Sequence, residues 1–214
     1  MRRTMVALVS VCALAACGQN AQQQTADAGG GGLFPDLNAA AYRAEATLNN
    51  GDGETIPAVM VRDGKKVRFE VNAQQGASIM ISNGDTGETF VITNQGGRTI
   101  AIRASGVDTG VSNPMDSWQG ELSENATRTG SCSVAGENGA EWTKTTTEDG
   151  TDTVCVTEDG IILRLTDDGR VAWETTRVQR GPQDAAQFAL PEGVQVMDLG
   201  NLGALVEAAR QRQH

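Results

Sequence analysis

Residues Thr147–Gly169 read TEDGTDTVCVTEDGIILRLTDDG, and an acid-glycine step comes round three times in them. Thr147-Glu148-Asp149-Gly150 returns as Thr157-Glu158-Asp159-Gly160 and again, more loosely, as Thr166-Asp167-Asp168-Gly169. A calcium loop needs oxygen ligands on alternate residues and a closing Glu about twelve positions on. These steps place their acids side by side, and the third runs into Arg170. The repeat length is instead that of one strand plus one turn. Asp149-Gly150, Asp159-Gly160 and Asp168-Gly169 therefore read as two-residue hairpin turns, since Asp followed by Gly accepts the positive φ that such turns demand. The stretch predicts an antiparallel meander and no metal site.

The same rhythm extends over most of the chain. Strands are expected at 41–48, 55–62, 66–72, 77–82, 88–93 and 98–104, and again at 140–146, 152–156, 161–166 and 170–180. Val67, Phe69 and Val71 alternate with Lys66, Arg68 and Glu70, as a half-buried strand requires. Ile79 and Ile81 oppose Ser78 and Ser82, with Met80 adding an apolar group to the second face, and Phe90 and Ile92 alternate with Thr89, Val91 and Thr93. Asp63-Gly64, Asn83-Gly84 and Gly96-Gly97 supply turns. Residues 106–128 interrupt the pattern as a long loop or a short helix lying over the sheet, and 183–188 fit one helical turn. About ten strands make a sheet that must curl, split or close. The fold class is mainly β, a strongly curved antiparallel sheet with a few covering helices.

The ends are of another kind. Residues 1–16 carry Arg2 and Arg3, then a short apolar run, which is a secretory signal and too short to span a bilayer. Leu14-Ala15-Ala16-Cys17 resembles a bacterial lipobox, which makes Cys17 the expected lipid-attachment residue. Acyl chains there would hold the protein to a membrane at about 0.8 kcal/mol per buried methylene. Gly18 stands where an Asp-type inner-membrane retention signal would stand, which points to the outer membrane, facing the periplasm. Residues 17–34, polar and Gln-rich before four glycines, read as a flexible tether. The folded domain is placed at 35–200. Residues 201–214 follow as an amphipathic C-terminal helix, with Leu202, Leu205, Val206 and Ala209 on one stripe.

Removing residues 1–16 takes two of the 17 basic residues and none of the 27 acids, leaving 15 against 27 and a net charge of −12. Such a surface repels nucleic acid. Cys12 leaves with the signal and Cys17 is the lipid site, so Cys132 and Cys155 remain in the folded part. In an oxidising compartment such a pair reads as a disulfide. It closes a loop of about 24 residues, for roughly 3 kcal/mol by the chain-entropy argument.

Two longer stretches carry a resemblance. YRAEATLNNGDGETIPAVMVRDGKKVRFEV (42–71) has an opening strand, a hairpin and a strand bearing basic residues. VAWETTRVQRGPQDAAQFALPEGVQVMDL (171–199) has the matching long strand, short turn and Phe188-Ala189-Leu190-Pro191-Glu192-Gly193. Together they resemble the LolA/LolB-like lipoprotein-carrier superfamily, over most of residues 40–199. That resemblance implies a half-barrel whose concave, apolar, helix-covered face accepts acyl chains.

The only histidine is His214, so no Ser-His or Cys-His arrangement can form inside the fold, and no Gly-x-Ser-x-Gly, His-Glu-x-x-His or phosphate-cradling motif occurs. The expectation is a non-catalytic protein without cofactor. Its ligand would be apolar or lipid-like, held on a concave face built from Val59, Val67, Phe69, Ile79 and Ile81 with Ile100, Ile102, Ile161, Leu163 and Leu165. The alternative is a structural module that docks to an envelope protein partner. Trp142 and Trp173, set among Thr, Lys and Glu, are expected to be half-exposed on their strands.

Overall fold

The computed structural model describes residues 33–49, 53–73, 76–95, 97–104, 114–145 and 150–198. The expected signal segment, most of the expected tether and the expected C-terminal helix therefore lie outside the described residues.

Six strands form a first meander: β1 (Tyr42–Asn49), β2 (Thr55–Asp63), β3 (Lys66–Ala73), β4 (Gly76–Asn83), β5 (Glu88–Gln95) and β6 (Arg98–Arg103). Helix α1 (Pro114–Asn125) follows. A second meander comprises β7 (Thr127–Val134), β8 (Glu137–Thr145), β9 (Thr151–Val156), β10 (Ile162–Asp167) and β11 (Arg170–Arg180). A 3-10 turn at Ala185–Phe188 leads to β12 (Gln195–Asp198). All twelve strands join one sheet in the order β12-β6-β5-β4-β3-β2-β1-β11-β10-β9-β8-β7. The meanders meet where β1 pairs with β11, every pairing is antiparallel except β12 with β6, and the sheet is curved and unclosed.

Side-chain contacts reveal the curvature. Phe69 on β3 and Trp173 on β11 are separated in the sheet by β2 and β1, yet their ring centroids lie 6.0 Å apart. Val67 from β3 and Val134 from β7 belong to one buried cluster although six strands lie between theirs. Only a concave face brings such residues together. Its centre is lined by the small side chains Ala44, Ala46 and Ala58, which leave room for strands to bend inward.

The open side of the concavity is closed by chain segments. Leu37, wholly buried, inserts from the N-terminal approach, and its N–H donates to Gln119 Oε1 of α1 at 2.6 Å. Leu122 of α1 joins the same cluster. Arg62 lies in this interior with no exposed surface; its Nε donates to the Gly64 carbonyl at 3.1 Å and its Nη2 to Asn38 Oδ1. Its neighbour across the β1–β2 ladder is Tyr42, whose hydroxyl is pushed up to about 12 by burial, against the pull of the Arg62 guanidinium.

A second, smaller cluster occupies the opposite face. Ile81, Ile92 and Ala101 are buried there beneath Phe188, Leu190 and Val194 of the segment that follows β11. Arg68 pins that segment by donating to the Gln187 carbonyl at 3.1 Å.

The third acid-glycine step is the two-residue turn the sequence implies: Asp168 (φ 45°) and Gly169 (φ 76°) connect Asp167 to its partner Arg170. The second is a correction. Asp159-Gly160 lies inside a five-residue connection, 157–161, because Thr157 pairs with Ile161 in both directions across the loop. Ile161 consequently belongs to the connection and not to β10. Residue Asp149 of the first step lies outside the described residues.

Candidate functional site

The residues expected on one apolar face are divided between two. Val67 and Phe69 share a face through the β2 and β3 registers with Met60 and Arg62, and they line the concave core. Ile161, Leu163 and Leu165 enter the same core. Ile100 and Ile102 stand opposite Thr93 and Val91 on that face, but in neither buried cluster. Ile79 and Ile81 pair with Glu70 and Arg68, and Val59 with Glu45, so all three point to the opposite face. The reason is the strict period of two in a strand: Met80, the apolar residue between the two isoleucines, is the one that faces inward, opposite Phe69.

Trp142 and Trp173 are likewise corrected. Both are buried in the concave core, at 4% and 3% exposure, despite polar neighbours in sequence. Their indole donors differ. Trp173 Nε1–H donates to Thr175 Oγ1 at 3.1 Å, and that hydroxyl donates to the Ile162 carbonyl at 2.9 Å. Trp142 Nε1–H is buried and meets no acceptor among the described residues. A buried donor left without a partner keeps its full desolvation cost, about 1–3 kcal/mol.

Trp142 also lines a groove of about 450 Å³. Its apolar lining is Trp142 and Ala140 of β8 with Val156 of β9, and Gly139 completes it. Gly139 is required here, since a Cβ would stand 2.5 Å from the Val156 carbonyl oxygen. Arg128, Asn138 and Glu158 supply a polar lining of both charge signs, and Leu33 and Pro35 line it from the N-terminal approach. Between them, Phe34 lies edge-on to Trp142 with ring centroids 5.2 Å apart. Phe34, the last residue assigned to the tether from sequence, is thus part of the domain's cover. The groove is a place on the concave side where an added group could be accommodated.

The disulfide expected from the two remaining cysteines is formed between Cys132 of β7 and Cys155 of β9, with Cα atoms 6.0 Å apart. Strand β8 lies between them. In a flat sheet two strand spacings would be about 9.5 Å, so the sheet folds sharply at this end, beside the groove.

The acidic steps do converge in one respect that spacing alone concealed. Oxygens of Asp152, Asp167 and Asp168 come within 4.8 Å of one another at the end of β9, β10 and β11. Asp168 Oδ1 accepts from the Thr151 N–H at 3.0 Å. Asp152 Oδ1 is buried without a hydrogen-bond partner among the described residues, and burial first, then the Asp167 carboxylate, raises its pKa above the ordinary 3.8. An acid raised in the fold contributes most favourably below its unfolded value and loses that contribution as pH rises through the folded one. Asp152→Asn is therefore expected to stabilise the protein at pH 7 by up to about 1 kcal/mol, the scale of a cross-strand charge pair. The gain should disappear below pH 3.8, and thermal melts at pH 3 and pH 7 check it.

No protein-family model and no curated protein matches the chain. Among solved structures, a conserved uncharacterised protein from Thermus thermophilus has a TM-score of 0.53 at 12% identity, covering 76% of this chain and 92% of that one. PNGF-II gives 0.47 at 13% identity, over 75% of this chain and 31% of that one. MucB of Pseudomonas aeruginosa, in its complex structure with MucA, gives 0.45 at 13% identity, over 75% and 59%. At these identities the likeness is one of fold.

Proposed function

We propose that this chain is an exported, membrane-anchored, non-catalytic binding module that takes an apolar ligand in the groove floored by Trp142. The observation that carries the reading is the groove itself. Its volume lies within the range of small-ligand sites, and its lining sets Trp142, Ala140 and Val156 beside the polar Arg128, Asn138 and Glu158. The signal segment and Cys17 support placement in the bacterial envelope at the outer membrane, facing the periplasm. Among the described residues no helix is long and apolar enough to cross a membrane.

The full chain should bind a solvatochromic apolar dye saturably and release it to a competing apolar ligand. Ala140→Leu, which fills the groove, should reduce dye affinity about tenfold while the melting temperature is retained. A folded protein that binds no dye, or binds it equally well with Leu at position 140, would contradict the reading. Metabolic labelling with a palmitate analogue, lost in Cys17→Ser, tests the anchor separately.

A further inference from the structure

We infer that the outer half of the concave face, on β5, β6 and β12, is a docking surface for the chain's own residues 199–214, folded back over it as an amphipathic helix. The inference stands apart from the groove beside Trp142, whose strands β8 and β9 lie towards the other end of the sheet.

The surface is a row of apolar side chains that starts in the core and ends in solvent. Register sets Phe69 of β3 beside Met80 of β4, Met80 beside Val91 of β5, Val91 beside Ile102 of β6, and Ile102 beside Met197 of β12. At the inner end Phe69 meets Trp173. Further out, Val91 and Ile102 are half-buried and Met197 is 38% exposed. These three belong to neither buried cluster, and Ile100, the next residue of β6 on this face, does not either. The described elements that cover the sheet lie elsewhere. Helix α1 packs against β8, and the segment after β11 covers the opposite face. An apolar row continuous with the core is stabilised by removal from water.

Strand β12 gives a second reason. It has four residues, all of them exposed, and it adds to the sheet edge in parallel. A short strand that buries none of its side chains gains little to offset the entropy of ordering it. A helix seated on Met197 supplies that contact.

Continuity of the chain selects the occupant. Strand β12 ends at Asp198, beside Arg103 and at the margin of the row. Leu199-Gly200 then matches the roughly 2–6 residues that join a strand to a helix in compact domains. Leu202, Leu205, Val206 and Ala209 recur at helical spacing and form one apolar stripe. A helix over residues 201–214 rises about 21 Å, and a six-residue strand such as β6 extends about 20 Å, so the helix lies along β6 over its length. The segment carries Arg210 and Arg212 against Glu207, so its charge is opposite to that of the acidic chain it folds onto. A second copy carries the same net charge of −12 and is repelled. Attachment at the margin of the row also gives this segment an effective concentration that a free ligand lacks.

The test is photocrosslinking in the full chain. Benzoylphenylalanine is placed at Ile100 and, in a second protein, at Thr93, its neighbour on β5, so that a folding defect at one position does not decide the outcome. After irradiation, digestion and mass spectrometry are expected to join the probe to a peptide from residues 199–214, within a chain of monomer mass. Leu205→Asp puts a carboxylate on the apolar stripe and should lower the crosslink yield about tenfold. Ala204→Asp, on the other side of the same helix, should leave it unchanged. A crosslink to a second copy, to a bound lipid or to any other part of the chain overturns the inference, as does the absence of a crosslink at both positions. Equal yields in Leu205→Asp and Ala204→Asp would overturn it as well.

Discussion

Replacing Cys132 by Ser and Cys155 by Ala together is expected to lower the unfolding free energy by about 3 kcal/mol, and the melting temperature by about 6–12 °C. The bond closes a span of 23 residues that contains both hairpins of β7, β8 and β9. Much of the loss should be local. Strand β7 is the last in the sheet, with six of its eight residues exposed, and it buries little apolar surface of its own apart from Val134 and half-buried Cys132. Without the bond, what holds it is its ladder with β8 and a turn in which Ala135 takes a positive φ of 54°. That conformation costs an L-residue other than glycine about 1–2 kcal/mol. Amides of β7 should therefore lose hydrogen-exchange protection before those of β1 or β2. Chemical denaturation of the oxidised, reduced and doubly substituted proteins provides the measurement. A midpoint that is the same in all three would refute a stabilising role. Arg128 of β7 also lines the groove and would be released with the strand.

How much of this could be read from residues alone depended on whether burial left a period in the sequence. The core strands did so: Val67, Phe69 and Val71 face Met60 and its neighbours as their alternation implies, and β11 occupies residues 170–180 as expected. Strand β7 left almost none. Its sequence TRTGSCSV alternates nothing apolar because it lies at the edge, and its turn, Ala135-Gly136, lacks the Asn or Asp that marks such a site. Strand β12 is exposed at all four residues and attaches in parallel, so neither pattern nor a turn announced it. The groove was hidden for a different reason. Trp142 sits among Glu141, Thr143 and Lys144, and nothing local says that a curved sheet will bury it or that Phe34, far away in sequence, will cover it. Curvature also explains the misplaced isoleucines. A sheet covered on one side by a helix and on the other by a crossing segment has apolar residues on both faces, and strand β4 shows both with Met80 inward and Ile81 outward.

Gly160 joins these distant parts, and Gly160→Ala is expected to cost about 2–5 kcal/mol, against about 1–2 kcal/mol for Gly169→Ala. Both glycines take a positive φ, 87° and 76°, so both substitutions carry the backbone term. They differ in what a methyl group would meet. At Gly169 there is open space, whereas at Gly160 the new carbon would stand 2.1 Å from the Asp36 carbonyl oxygen and 2.9 Å from the Leu37 Cα. Those atoms are backbone and cannot swing aside like a side chain. The N-terminal cover must lift, although it is tied down by the Leu37 N–H donating to Gln119 and by Arg62 donating to Asn38 Oδ1. The excess cost of Gly160→Ala over Gly169→Ala is thus a direct reading of how tightly residues 33–40 are seated on the connection at 157–161. Because Phe34 leaves with that cover, Gly160→Ala should also perturb the Trp142 indole resonance, and Gly169→Ala should not. Parallel denaturation curves and indole spectra of the two variants make the comparison. Equal losses of stability, with the Trp142 signal unmoved in both, would mean that the cover does not depend on this contact.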